Sequence, residues 1–184
     1  MSDPRILSRR DALWIALAGS ASLAAAACSS SQSGASAASP AGTGSAPDFT
    51  VELLSGDTFR LSDHLGKDVV VIDFWATFCV PCLAVLKHLQ ELHDKYKDKG
   101  LVVLGVSLDP PETAGQIQPF VRSRNLTYPI AHDINSQVAN LYNKKGSAPY
   151  QVLIGRKGDV IKRRESYQPG DEAGMEQEIV AALG

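Results

Sequence analysis

Two continuous apolar runs constrain this chain more than anything else in it: Val69–Trp75, "VVVIDFW", and Leu101–Leu108, "LVVLGVSL". Neither alternates with polar residues, so each reads as a strand covered on both faces, inside a sheet with helices packed on it. Between them Val85, Leu89, Leu92 and Tyr96 recur at helical spacing, and Gly100 supplies a stop. Upstream, Phe49, Val51 and Leu53 alternate, Ser55-Gly56-Asp57 turns the chain, and Phe59 and Leu61 alternate again, which predicts a hairpin. Downstream, 112–124 reads as a helix that Pro119 should kink or split. Residues 136–142 read as a short helix presenting Val138, Leu141 and Tyr142, and 150–166 as two antiparallel strands around a Gly155–Gly158 turn. A final helix over 171–183 takes Asp171 as its N-cap and sets Met175, Ile179 and Leu183 on one face. The order is hairpin, β, α, β, α, α, β, β, α. It predicts an α/β fold, a mixed central sheet flanked by helices.

The chain's 184 residues are enough for one ordinary domain with a real core. The formal net charge is −2 and acids and bases are interspersed, so no nucleic-acid partner is expected. No sequence signal demands a dimer interface, and a monomer is expected.

The first 46 residues differ in kind from the rest. Arg9 and Arg10 precede an apolar stretch from Ala12 to Ala27, the length of a signal-peptide core and marginal for a membrane span. Residues 1–27 therefore read as a secretory signal. Ser8-Arg9-Arg10 resembles a twin-arginine export signal, and "LAAAAC" resembles a bacterial lipobox, with Cys28 as the lipidated first residue of the mature protein. Cleavage without lipidation and an uncleaved anchor are the alternatives. Residues 28–46 combine that cysteine with a Ser/Ala/Gly/Pro linker carrying no charge and no large apolar group, so it cannot form a core. As a coil it spans roughly 25 Å root-mean-square. The folded domain is then 47–184, exported and held at the periplasmic side of the cell envelope by a lipid on Cys28.

Of the three cysteines, the domain keeps Cys79 and Cys82, directly after the first apolar run. A c-type haem attachment needs a His after the second cysteine, where Leu83 stands. A closed zinc site needs four ligands. If 82–99 is one helix, His88 and His93 point about 140° apart, both on its surface, and neither shares the face of Cys82; no metal is expected. A purely structural disulfide closing so short a loop stabilises little. A redox pair explains more. A strand ending before Cys79 and a helix beginning near it put the first thiol at a helix N-terminus, where unpaired N–H groups favour the thiolate nucleophile. Pro81 suits the first helical turn, and Cys82 lies on the same side of that turn, able to resolve a mixed disulfide formed at Cys79.

Asp73 interrupts the buried run, where an unpaired carboxylate is expensive. A strand end reaching water would explain it. Beside the cysteine pair, the functional reading is a proton acceptor for Cys82, with a pKa raised by burial.

At "FWATFCVPC" the chain resembles the TlpA/ResA-like exported thiol–disulfide oxidoreductases of the thioredoxin superfamily. "APDF", "LSDHLGK", "VVLGVSLD" and "SAPYQVLIGRKGDVI" extend the likeness over nearly all of 47–184. The resemblance implies a thioredoxin fold with an N-terminal β-hairpin and an insertion after the first βαβ unit. It implies a cis Ala148–Pro149 peptide beside the cysteines, whose backbone pairs with an extended substrate segment. Trp75, Val80, Pro81, Ala148 and Tyr150 are the candidate groove residues, although Trp75 and Tyr150 could equally be packing. Phe78, Ala148 and Gly155 stand where the family commonly has Trp, a Thr, Val or Ile, and Asp. Ala148 is the departure nearest the chemistry.

The expected function is reduction of protein disulfides by a Cys79–Cys82 dithiol cycle without a further cofactor, fed by a membrane thiol relay; cytochrome c maturation is one setting. No cation lies between the cysteines to stabilise the Cys79 thiolate strongly, which argues for a reductase over an oxidant. Oxidase or isomerase activity and a non-catalytic binding module are the alternatives. A thiol peroxidase reading lacks the proline of a Pro-x-x-x-Thr-x-x-Cys setting around Thr77.

Overall fold

A computed structural model of the chain describes residues 44–184. The signal sequence, Cys28 and most of the linker lie outside the described residues. The two apolar runs are strands β3 (Val69–Trp75) and β4 (Leu101–Ser107), joined through helix α1 (Cys82–Tyr96). After β4 come α2 (Ala114–Ser123), β5 (Ile130–His132) and α3 (Gln137–Tyr142), the insertion that precedes the antiparallel pair β6 (Tyr150–Ile154) and β7 (Val160–Glu165) and the last helix α4 (Asp171–Leu183). The hairpin strands β1 (Thr50–Glu52) and β2 (Thr58–Arg60) pair with each other. The main sheet runs β5-β4-β3-β6-β7, with β3, β4 and β5 parallel and β6 and β7 antiparallel to their neighbours. This is the thioredoxin fold.

The pleat sorts β3 into two faces. Val69, Val71 and Trp75 pack with α1, α2 and α4 through Val85, Leu89, Ile117 and Ile179. Val70, Ile72 and Phe74 pack on the other side with the hairpin and α3 through Phe59, Leu61, Val138 and Tyr142. Every residue of β3 is buried. The edges are managed differently. Leu53 bridges Ala131, so the hairpin end covers β5. The opposite edge, β7, carries Lys162, Arg163 and Arg164, charges that oppose pairing with another chain.

Several elements of the fold depart from the sequence pattern. The three-residue strand β5 was not predicted; it follows Pro129 and is too short to show a period. Pro119 neither splits nor ends α2. It faces solvent, and the carbonyl it crowds belongs to exposed Gly115, which can turn to water. Asp171 is the first residue of α4 and not its cap; Gly170 takes that place with φ +103°, and the Asp171 carboxylate accepts from the Gln168 N–H at 2.8 Å. In α3 the buried positions are Val138, Ala139 and Tyr142, with Leu141 exposed. His88 and His93, expected on the helix surface, are both half-buried: His88 Nε2 lies 3.1 Å from the Glu172 carbonyl, and His93 stands edge-on to Tyr128.

Gly105, opposite Asp73 in β4, lies where the sheet is tightest. A methyl group built there meets Ile130 Cδ1 at 2.6 Å, Tyr128 Cε2 at 3.1 Å and Trp75 Nε1 at 3.2 Å. All three side chains are buried, so none can swing away freely. Gly105→Ala is expected to lower stability by about 1–3 kcal/mol in urea unfolding, the usual result of overpacking a close-packed site.

Candidate active site

The end of β3 delivers the chain into the turn Ala76–Pro81. The Cys79 N–H donates to the Ala76 carbonyl at 3.0 Å, and the Cys82 N–H to the Cys79 carbonyl at 3.2 Å. Helix α1 begins at Cys82, and Pro81 sits at the cap position with φ −66°. Cys79 therefore lies one turn ahead of the helix proper, and Pro81 precedes the first helical turn that the sequence suggested for it. The two sulfurs are bonded, with Cα atoms 5.3 Å apart. Cys82 is fully buried in the cluster that α1 builds on the sheet; Cys79 lies at its rim. Around them Phe78 and Val80 are 66% and 76% exposed, an apolar collar beside the disulfide.

A carboxylate the sequence reading passed over fixes this turn. Asp109, just past β4, is buried and accepts from the Thr77 N–H at 2.9 Å, the Ser107 hydroxyl at 2.8 Å and the Thr113 hydroxyl at 3.0 Å, and also from the Thr77 hydroxyl. Its own carbonyl accepts from His132 Nε2 at 2.7 Å. Three segments are thereby tied to the residue two before Cys79. An Asp closing a buried apolar run was the available signal, the same one that drew attention to Asp73.

Just before β6, the neighbour of β3 in the sheet, Ala148–Pro149 is a cis peptide. Asn143 clips the loop leading to it: its Nδ2 donates to the Ser147 carbonyl at 2.8 Å, and its Oδ1 accepts from the Ser147 N–H at 3.0 Å. The Pro149 carbonyl accepts from the Ser166 N–H at 3.1 Å. Pro149 is buried, Ala148 and Tyr150 are half-buried, and Val80 and Pro81 are exposed. Trp75 does not line a groove: it is wholly buried and stacks on Phe120 with ring centroids 5.0 Å apart. Tyr150 leans on Phe74 from the sheet side.

Asp73 is wholly buried. It alternates with Val71 and Trp75, so it faces the side of the sheet on which Cys79, Cys82 and α1 pack. Its Oδ1 accepts from Gln151 Nε2 at 2.9 Å, while Oδ2 has no hydrogen-bond partner among the described residues. Burial pushes the carboxyl up to about 7, against the smaller opposing effect of the Gln151 bond. Tyr128 is also buried, and desolvation, reinforced by the Asp73 charge, holds its phenol well above the ordinary range. Among the described residues no group of three or more His, Cys, Asp and Glu is placed to hold a metal ion, and no helix is long and apolar enough to cross a membrane.

A thioredoxin-type sheet, a Cys-x-x-Cys pair after its central strand and a cis proline just before the neighbouring strand β6 define the class: thioredoxin-fold proteins with a dithiol–disulfide centre. The particular family follows from comparison with known proteins. Residues 43–163 match the AhpC/TSA family, and the chain belongs to that family. It is 39% identical over 119 residues to the Thiol-disulfide oxidoreductase ResA of Oceanobacillus iheyensis, covering 62% of this chain and 60% of that one. The chain thus spans about three-fifths of that relative's length. Among solved structures it is similar to a candidate thiol:disulfide interchange protein DsbE from Chlorobium tepidum (TM-score 0.70, 35% identity, 77% of this chain and 97% of that one). It is similar also to a candidate thioredoxin from Neisseria meningitidis (TM-score 0.65, 28% identity, 75% and 89%). The TlpA/ResA-like resemblance read from the sequence is matched by relatives named Thiol-disulfide oxidoreductase ResA over about three-fifths of the chain.

The position of Asp73 has a measurable consequence for stability. Its carboxyl titrates near 3.8 when unperturbed and about 7 in the folded chain. Below pH 4 both states hold the proton and nothing is lost. Between pH 4 and 7 the unfolded chain releases it first, so stability falls as pH rises; above pH 7 the full difference, about 4 kcal/mol, is in force. Asp73→Asn should therefore be more stable than the wild type at pH 8 by up to that amount and nearly equal to it at pH 4. Urea unfolding of the oxidised protein at the two pH values checks this.

Proposed function

We propose that this protein is a thiol–disulfide oxidoreductase that reduces disulfides of exported proteins through Cys79 and Cys82. The observation that carries this reading is the pairing of the two cysteines with a buried carboxyl whose proton affinity lies near neutrality. In the reduced protein the Cys79 thiolate attacks one sulfur of a substrate disulfide. A Cys79–substrate bond forms and the other substrate sulfur leaves as a thiolate. Asp73 takes the proton from Cys82 Sγ. The Cys82 thiolate then attacks Cys79 Sγ, expelling the second substrate sulfur and closing the Cys79–Cys82 disulfide. Two electrons pass to the substrate, and a membrane dithiol relay returns two to the protein. Ala148 and Pro149, with Val80, Pro81 and Tyr150, are the groove in which an extended substrate segment lies, its backbone paired with that of Ala148. The apolar collar of Phe78 and Val80 suits a partner with an apolar surface around its reacting sulfur.

The proposal extends to location. Export by residues 1–27, lipidation at Cys28 and the uncharged 28–46 linker would let residues 47–184 act as a monomer just off the membrane, where a relay donor and newly exported substrates such as apocytochrome c thiols both occur. In cells, Cys28→Ser should move the protein from the membrane fraction to the soluble fraction of the envelope; retention in the membrane fraction would remove the lipid anchor from the proposal.

The Cys79–Cys82 reduction potential tests the reaction and its direction. With the full chain equilibrated in thiol–disulfide buffers, a value below roughly −200 mV is expected, more reducing than an oxidising compartment. A value well above it would make the protein a disulfide-forming oxidant or isomerase. Absence of reversible exchange would leave a thioredoxin-fold binding module. Cys79→Ser should abolish exchange, and Cys82→Ser should accumulate mixed disulfides with substrate at Cys79.

A further inference from the structure

Asp73 has a buried neighbour that this reaction scheme leaves without a role. Gln151 is the second residue of β6, directly opposite Asp73 in the β3–β6 ladder, and it is 5% exposed. Like Asp73 it interrupts a buried apolar run, "YQVLI", on the face that α1 and α4 cover. A carboxamide there is expensive to bury unless its position serves something.

We propose that Gln151 is the positioning residue for Asp73: its Nε2 holds Oδ1, fixes the plane of the carboxyl group, and leaves Oδ2 as the oxygen that receives the Cys82 proton. The inference rests on the thiol–disulfide reading above and adds a residue to it. Three observations support it. The Nε2–Oδ1 distance is 2.9 Å, and Oδ2, equally buried, has no partner among the described residues, so the two oxygens are unequal before any proton moves. The opposite neighbour of Asp73 in the sheet is Gly105, which brings no side chain to compete for Oδ2. The amide's other end is uncommitted. A small cavity of about 20 Å³ is lined by Gln151, Met175 and Ile179 together with Lys162, Arg164 and Glu178. Gln151 Oε1 is also buried and has no hydrogen-bond partner among the described residues, so the bond to Asp73 is the one that fixes the amide.

The groups able to influence Asp73 are few and can be separated. Tyr128, with His93 behind it, lies on the β4–β5 side. Cys82 comes from α1 on the same face of the sheet. Beyond Gln151 stand Lys162 and Arg164, both paired with Glu178 at 3.4 and 2.8 Å. Of these groups, Gln151 is the one hydrogen-bonded to the Asp73 carboxylate. A bond to the charged form lowers a carboxyl pKa, so its removal must raise the Asp73 titration further.

The test is the Asp73 carboxyl titration, read by carbon NMR in the oxidised full chain and assigned by its disappearance in Asp73→Asn. Gln151→Met keeps length and bulk and removes the donor. Its Asp73 midpoint is expected to rise by about one pH unit or more, the weight of one hydrogen bond to a charged group. The pH at which mixed-disulfide resolution by Cys82 is half-maximal should rise with it. An unmoved midpoint in a folded Gln151→Met protein would overturn the proposal. Should that variant not fold, the wild-type Gln151 side-chain amide resonances decide: they must titrate with the Asp73 midpoint, and a flat response overturns the proposal equally. The readout needs no turnover. A protein that exchanges no disulfides would therefore defeat the proposed function while leaving this titration intact, and an unmoved midpoint with exchange intact would defeat the positioning role alone.

Discussion

The carboxyl of Asp73 is held at the centre of the main sheet, on its middle strand, buried and with one hydrogen bond among the described residues. Stability alone would put Val there, as it does at Val69, Val70 and Val71 in the same strand. Much of the surrounding architecture can be understood from that one substitution of function for packing. The strand opposite offers Gly105, so no side chain presses on the carboxyl, and the space this leaves in the sheet is filled by Ile130, Tyr128 and Trp75. The other neighbouring strand offers Gln151, the one polar side chain that meets it. A residue pattern that looks irregular along each strand becomes coherent when read across the sheet: Gln, Asp and Gly in one row.

A second constraint acts at the surface. The disulfide loop is short, and its first cysteine must be presented at the rim while its second is wholly buried. Asp109 meets this by gathering donors from Thr77, Ser107 and Thr113, so that the loop, the end of β4 and the residue before α2 are tied to one carboxylate. Asn143 does the same for the loop before Pro149. Asp133 caps α3 from outside, accepting from the Val138 and Ala139 N–H groups at 3.1 and 2.8 Å, while Ser136 takes a left-handed φ of +52°. In each case a short polar side chain next to a strand or helix end replaces backbone partners that an irregular segment lacks.

These two kinds of residue mark what was legible in the sequence. Period and continuity of apolar residues located β3, β4, α1, the hairpin and the last helix, because those patterns are set by burial on one face or two. The cysteine pair and Asp73 stood out because each breaks such a pattern. Gln151 and Asp109 break the same patterns and carried the same signal; what hid them is that their partners, Asp73 and Thr77, are 78 and 32 residues away. Strand β5 was not legible because three residues hold no period, and whether Pro119 would split its helix was not legible either, because that depends on whether the carbonyl four residues back can turn to solvent, a property of tertiary placement. His88 and His93 were misplaced for a similar reason: His88 is met by α4 and His93 by Tyr128, which arrive from far along the chain.

The chemistry asks for a group that can take a proton from a buried thiol and return it in the reverse direction at comparable free energy. Cys82 sits in an apolar cluster where a thiolate is disfavoured, so in the proposed mechanism a neighbouring base must take its proton before it attacks. Tyr128 is buried nearby, but its phenol lies well above the ordinary range and holds its proton throughout the neutral region. Asp109 already spends both carboxylate oxygens on the loop. Asp73, pushed up to about 7 by burial, is poised between its two forms at neutral pH, and one of its oxygens is free of other bonds. In the proposed mechanism, the same desolvation that lowers the stability of the fold above pH 7 makes this carboxyl a usable base, so the stability lost at Asp73 and the reactivity proposed for Cys82 have a single physical origin.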